Sequence, residues 1–118
     1  MLNNADLLKN AGYINGEWTG ADSDNRFEVT NPFSKEVICT LPDMGAKATN
    51  DAIEAANDAW PNWRSRTAKE RAAILKKWFD LIIDNQEDLA TLMTTEQGKP
   101  LAEAKGEVVY GASFIEWF

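Results

Sequence analysis

Apolar and polar positions follow a period near two through the first third of the chain and a period near 3.6 from Ala46 onward, which predicts short strands followed by helices. Tyr13-Ile14 and Glu17-Trp18 flank Asn15-Gly16, the dipeptide that most easily takes the two left-handed conformations of a type I′ turn, so a tight hairpin is expected there. Phe27-Glu28-Val29-Thr30 alternates apolar with polar, Asn31-Pro32-Phe33-Ser34 breaks the run, and the β-branched Val37-Ile38-Cys39-Thr40-Leu41 predicts a second extended segment that Pro42 and Gly45 close.

Ala52, Ile53, Ala56, Ala59, Trp60 and Trp63 form an apolar stripe on a first helix, which Pro61 is expected to interrupt or kink because it has no backbone N–H. Thr67-Ala68-Lys69-Glu70 has the spacing of a capping box and restarts the helix, with Leu75, Trp78, Phe79 and Ile82 as its stripe. Asn85 is placed to cap a third helix, with Glu87 and Asp88 at its positive end and Leu89, Leu92 and Met93 facing inward. Gly98-Lys99-Pro100 predicts its end, since Gly accepts the left-handed position and Pro cannot continue the ladder. A fourth helix from Leu101 carries Leu101, Ala104, Val108, Ala112 and Ile115 on one side, and Gly106 and Gly111 are expected to permit close backbone contact. Phe114-Ile115-Glu116-Trp117-Phe118 holds no Gly, no Pro and no basic last turn, so it reads as helix interior. The alternative is that its rings fold back onto the preceding helices.

The chain divides by these signals into an N-terminal extension at 1–12, strands and turns at 13–45 and helices at 46–118, without internal repeats or a Gly/Ser linker. Its 118 residues, 44% of them hydrophobic, are long enough for one core. Twelve basic against 19 acidic side chains, a net charge of -7, argue against nucleic acid and against an anionic membrane, because both need clustered Lys and Arg. No stretch approaches the roughly 20 apolar residues of a membrane span, and the first residues lack the basic and apolar regions of a signal peptide, which leaves the cytoplasm as the expected location. One cysteine and no histidine exclude a disulfide framework and the usual zinc spacings.

Cys39 lies in a predicted strand with no His to take its proton, so a buried, inert thiol is expected. The pairs Glu54/Asp58 and Glu103/Glu107 each share a helix face, a spacing compatible with acid–base work or a cation but better read as solvated faces. Gly98-Lys99 lacks both the upstream Gly and the following Ser or Thr of a phosphate loop, so it reads as the helix stop, and no Gly-x-Gly-x-x-Gly follows a strand. Trp60, Trp63, Trp78 and Phe79 stand at helical spacing, which predicts core rather than a stacking platform for a ring-bearing ligand. The residues by themselves therefore describe an acidic α/β piece with no catalytic, cofactor-binding or metal-binding residue to name.

Tyr13-Ile14-Asn15-Gly16-Glu17-Trp18, Val29-Thr30-Asn31-Pro32, the helix start Thr67-Ala68-Lys69-Glu70-Arg71, and Glu96-Gln97-Gly98-Lys99-Pro100-Leu101-Ala102-Glu103-Ala104 together resemble the amino-terminal region of the aldehyde dehydrogenase superfamily. The resemblance runs from about Tyr13 to Phe118, and the Glu96–Ala104 run with Ser113-Phe114-Ile115-Glu116-Trp117-Phe118 is most similar to NAD(P)-dependent succinate-semialdehyde dehydrogenases. It implies an incomplete piece of a Rossmann-like cofactor domain: the first strands and outer helices. It also implies a reaction in which a Cys thiolate attacks the aldehyde, hydride passes to NAD or NADP, and a Glu activates water. The family's Cys, Glu, oxyanion Asn and cofactor motifs lie beyond the positions matched here, and the neighbours of Cys39 match the early strand rather than the catalytic segment. In some members, main-chain oxygens at positions matching Val29 and Thr30 hold a monovalent cation together with an acidic side chain matching Glu96, where those members carry the shorter Asp.

Three readings compete. The first is a part of an aldehyde dehydrogenase subunit, inactive alone, whose partner is the remainder of that subunit in a homo-oligomer; it predicts bare apolar surface. The second is a self-contained acidic helical module that binds a partner protein through its terminal aromatic run. The third, an autonomous enzyme, has no titratable cluster behind it.

Overall fold

A computed structural model describes residues 2–20 and 24–118. Asn15 and Gly16 both take positive φ, 52° and 83°, and turn β1 (Gly12–Ile14) into β2 (Glu17–Thr19) as an antiparallel pair, as a type I′ turn requires. A second antiparallel pair joins β3 (Arg26–Thr30) to β4 (Val37–Pro42), with Val29 opposite Cys39 and an irregularity of register between Val29 and Thr30. The Asn31 carboxamide shapes the connection by accepting from the Phe33 and Ser34 amides at 2.9 and 3.1 Å. These two ribbons are separate among the described residues, so each keeps unpaired strand edges.

Four helices follow: α1 (Gly45–Ser65), α2 (Ala68–Asp84), α3 (Gln86–Gln97) and α4 (Leu101–Trp117). Pro61 does not interrupt α1. The carbonyl it leaves without an intrahelical donor belongs to Asn57, which is exposed, so water can take the bond's place. The capping box at α2 forms as its spacing predicts: Thr67 Oγ1 accepts from the Glu70 amide at 3.3 Å and the Glu70 carboxylate accepts from the Thr67 amide at 2.8 Å.

Asn85 departs from expectation. Its side chain caps nothing in α3 and instead donates back to the Leu81 carbonyl at 2.8 Å. The residue ends α2 and starts α3 at once, and its φ of -105° and ψ of 15° lie outside the extended region that an N-cap needs to aim its oxygen at the next turn. Gly98, at φ 77°, ends α3 and sends its amide to the Thr94 carbonyl at 2.8 Å.

Helix α4 packs against both α2 and α3, and α1 touches the hairpin at β1. The apolar residues buried among those described are Ala90, Ala104, Val108 and Ala112, with Ile82, Leu89 and Met93 partly buried around them. Pro42 is buried separately at the end of β4. The α4 stripe is thus as expected at Ala104, Val108 and Ala112. Two expectations fail nearby. Gly106 and Gly111 stand in open space, where an added Cβ would meet no atom within 4 Å, so neither supports a close backbone approach among the described residues. Trp60 and Trp78 are 53% and 55% exposed rather than core, and Ile53 is 62% exposed.

The cause of the second failure is that periodicity marks a face as apolar without supplying anything to lie on it. The chain exposes 8742 Å², whereas a compact monomer of this length exposes about 6,400 Å². Its radius of gyration of 16.6 Å also exceeds the roughly 13.5 Å of a compact domain. Trp117 and Phe118 are 84% and 87% exposed, so the terminal rings do not fold back onto the helices.

Candidate functional site

Cys39 faces its candidacy from β4, half-buried, and its thiol is pushed above its ordinary value near 9.0 by burial first and by the Glu96 carboxylate second, with Arg26 opposing. A thiol held up in this way is mostly protonated at neutral pH and is a poor nucleophile. Glu54 and Asp58 lie exposed on α1. Glu103 and Glu107 lie exposed on α4, where Glu107 pairs with Lys99 at 2.8 Å. That hydrogen bond raises the Lys99 ammonium and joins the turn between α3 and α4 to the side of α4.

Phe79 is half-buried with the Lys76 ammonium 4.1 Å from its ring centre. Lys76 also reaches Asp80 at 3.2 Å and Glu116 at 3.3 Å, and so ties α2 to the last turns of α4. Trp60, Trp63 and Trp78 do not combine with it into a lined ring-binding pocket; Trp78 instead borders a cleft with Leu7, Leu81, Ile82, Asn85 and Leu89.

The residues named for a cation are brought into one neighbourhood. Val29 pairs with Cys39, Glu96 acts on the Cys39 thiol, and Gly98 lies against Pro32, so the last turn of α3 stands beside the end of β3. The register irregularity between Val29 and Thr30 falls at the same end of that strand. Among the described residues no group of three or more His, Cys, Asp or Glu could hold a metal ion by side chains, so main-chain oxygens would have to supply most of any such site.

Two residues with structural leverage escape the sequence patterns. Arg26 donates to the Thr40 hydroxyl at 3.2 Å, the Thr40 carbonyl at 2.7 Å, the Gly20 carbonyl at 3.2 Å and the Asn10 carbonyl at 2.8 Å, joining both ribbons to the N-terminal segment. Asp88 accepts from the Asn3 and Asn4 amides at 2.9 and 2.7 Å. Its place in the first turn of α3 signals a helix start, but nothing in the pattern points to partners 84 and 85 positions away.

Two antiparallel ribbons leading into a helical layer with a bare apolar face define part of an α/β domain. The model of the aldehyde dehydrogenase family matches residues 18–118. The glutarate-semialdehyde dehydrogenase of Pseudomonas putida is 62% identical over 117 residues, covering 99% of this chain and 24% of the relative. The NADP(+) succinate-semialdehyde dehydrogenase of Escherichia coli is 56% identical over 117 residues, again 99% of this chain and 24% of the relative. The crystal structure of succinate-semialdehyde dehydrogenase from Burkholderia pseudomallei superposes with a TM-score of 0.94 at 60% identity, covering 98% of this chain and 24% of that one. The chain belongs to the aldehyde dehydrogenase family and matches the N-terminal part of its succinate- and glutarate-semialdehyde dehydrogenases. It spans about a quarter of the length of those relatives.

Proposed function

We propose that this chain is the scaffold portion of an NAD(P)-dependent aldehyde dehydrogenase that oxidises succinate semialdehyde or glutarate semialdehyde to the dicarboxylic acid, and that the chain alone does not catalyse the reaction. The observation that carries the reading is the pairing of high identity to semialdehyde dehydrogenases with a buried apolar core of three alanines and one valine among the described residues. Such a core leaves the helices to be completed by the remainder of the subunit, which we take as the partner of the apolar face, within a homo-oligomer in the cytoplasm. The balance of charge argues against nucleic acid, and among the described residues no helix is long and apolar enough to cross a membrane.

NAD or NADP would supply hydride-accepting chemistry in the whole subunit. The described residues of this chain do not fit that group: their strands form two antiparallel pairs, with no parallel strand–helix–strand unit to set a pyrophosphate at a helix N-terminus. What the chain contributes is position. Its helices present an apolar layer, Arg26 holds the ribbons together, and the Lys99–Glu107 and Lys76–Glu116 pairs link α4 to the turn before it and to α2. A monovalent cation held by the Val29 and Thr30 carbonyls and the Glu96 carboxylate would bind the end of β3 to α3 in the same structural capacity.

The test is complementation. A Pseudomonas putida glutarate-semialdehyde dehydrogenase lacking its matching segment, mixed with this chain during refolding, is expected to regain aldehyde-dependent NAD(P)H formation. A soluble complex without activity, or no complex at all, would overturn the scaffold assignment.

A further inference from the structure

Asp88 is the buried carboxylate among the described residues, and the three hydrogen bonds at its oxygens all come from the N-terminal segment. Its Oδ1 accepts from the Asn3 amide at 2.9 Å and from Asn3 Nδ2 at 3.0 Å, and its Oδ2 accepts from the Asn4 amide at 2.7 Å. The Asn4 carboxamide in turn accepts from the Asp6 amide at 3.1 Å and starts a single 3₁₀ turn, Ala5–Leu7. That turn places Leu7 in the wall of an apolar cleft of about 360 Å³, which Trp78, Leu81, Ile82 and Leu89 of α2 and α3 also line. Ile82 and Leu89 also line an adjoining cleft of about 390 Å³ that continues past Met93 and Val108 to Ile115.

The backbone hydrogen bonds within residues 4–8 are local ones, Leu7 to Asn4 at 3.3 Å and Leu8 to Ala5 at 3.2 Å. The segment is therefore held to the helices by Asp88 at one end, with Leu7 bordering the cleft at the other. Past Leu8 the chain is pinned again, because Arg26 grips the Asn10 carbonyl at 2.8 Å. One anchor and a fixed base make a hinged element.

We propose that residues 2–8 are a latched strap: Asp88 fastens the strap's backbone, Leu7 forms one wall of the α2–α3 cleft, and release of the latch removes that wall and opens the cleft beside the adjoining one that shares Ile82 and Leu89. The carboxylate is suited to the task because it is acceptor-only when ionised, and three donors converge on it. The cleft belongs to the apolar face proposed above for the remainder of the subunit, but the strap involves residues of this chain alone, and its amide and methyl readouts are independent of substrate and assembly.

Asp88→Asn tests the latch in the full chain, since the amide keeps the shape but turns a donor toward a backbone N–H. Amide exchange at Asn3 and Asn4 is expected to quicken by about tenfold or more, the scale of a lost hydrogen bond to a charged group. The Leu7 methyl resonances are expected to move toward unfolded positions while the amides of α3 and α4 keep their protection. Unchanged exchange at Asn3 and Asn4, or freed amides with Leu7 still in place, would overturn the proposal. Should Asp88→Asn unfold the helices, deletion of residues 2–8 decides: retained helical circular dichroism with increased binding of an apolar dye supports the strap, and unaltered dye binding with helices intact rejects it.

Discussion

Gly98 lies so close to Pro32 that a Cβ added to it would stand 3.2 Å from the proline Cγ. One residue thus ends α3 in the left-handed conformation, at φ 77°, and brings the helix end against the turn that follows β3. Gly98→Ala meets both constraints and is expected to cost about 1–2 kcal/mol from the left-handed backbone, with the proline contact adding to it. Urea unfolding followed by helical circular dichroism measures the loss; a midpoint equal to that of the parent chain would show that the helix end is not fixed there.

Burial assigns opposite outcomes to Ala104 and Trp117. Ala104 is fully buried between α3 and α4, so Ala104→Leu is expected to cost about 1–3 kcal/mol by overpacking in the chain itself. Trp117 is 84% exposed, and Trp117→Ala is expected to change the stability of the chain by no more than about 0.5 kcal/mol. In a whole-length subunit carrying this segment, where the proposal covers the α4 face, the same Trp117→Ala is expected to cost about 3–5 kcal/mol. Equal small effects in both settings would show that the ring stays bare.

Where a signal is local the residues state it plainly. Asn15-Gly16 specifies its turn because few residues accept two consecutive left-handed conformations, and Thr67 with Glu70 specifies a helix start because both bonds close within three positions. Gly98-Lys99-Pro100 is equally legible as a stop. Asn85 misleads because its type suits a cap at either helix and the backbone decides between them. The tryptophan stripe misleads for a different reason, since period 3.6 reports an apolar face and not its cover. The Asp88 contacts with Asn3 and Asn4, and the bonds from Arg26 to Asn10, Gly20 and Thr40, join distant positions and leave no period to read. Of the cation neighbourhood, the motif resemblance supplied Val29, Thr30 and Glu96, while their approach came only from how α3 ends beside β3.

Acid is expected to loosen two points in the chain. The Asn3 and Asn4 amides hold the Asp88 carboxyl below its ordinary value near 3.8, and the Thr67 amide and hydroxyl hold Glu70 below 4.5. A depressed folded value means that each carboxylate adds stability above its ordinary value, and that this contribution fades as pH falls through the lowered one. Protection of the amides of Asn3, Asn4 and the first turn of α2, taken relative to the intrinsic exchange rate at each pH, should therefore fall as pH drops below 3.8 and 4.5 respectively, ahead of loss of the α3 and α4 signals. Constant protection through that range would contradict the assignment of these carboxylates as anchors.

Cys39 is expected to react with a thiol reagent more slowly than free cysteine at neutral pH, because burial and Glu96 keep its proton on. Its rate should rise with pH and continue to rise past 9.0, where a thiol at its ordinary value levels off. Cys39→Ser in a whole-length subunit is expected to leave aldehyde oxidation unchanged, and a loss of turnover with the fold intact would return Cys39 to the list of working residues.

The most direct measurement is aldehyde-dependent reduction of NAD and NADP by the purified chain, with succinate semialdehyde and glutarate semialdehyde as substrates. No reduction above the protein-free rate is expected with either cofactor, because none of the described residues supplies an activated thiolate or a seat for the nicotinamide. Turnover that follows the chain through purification and vanishes on its removal would contradict the scaffold assignment.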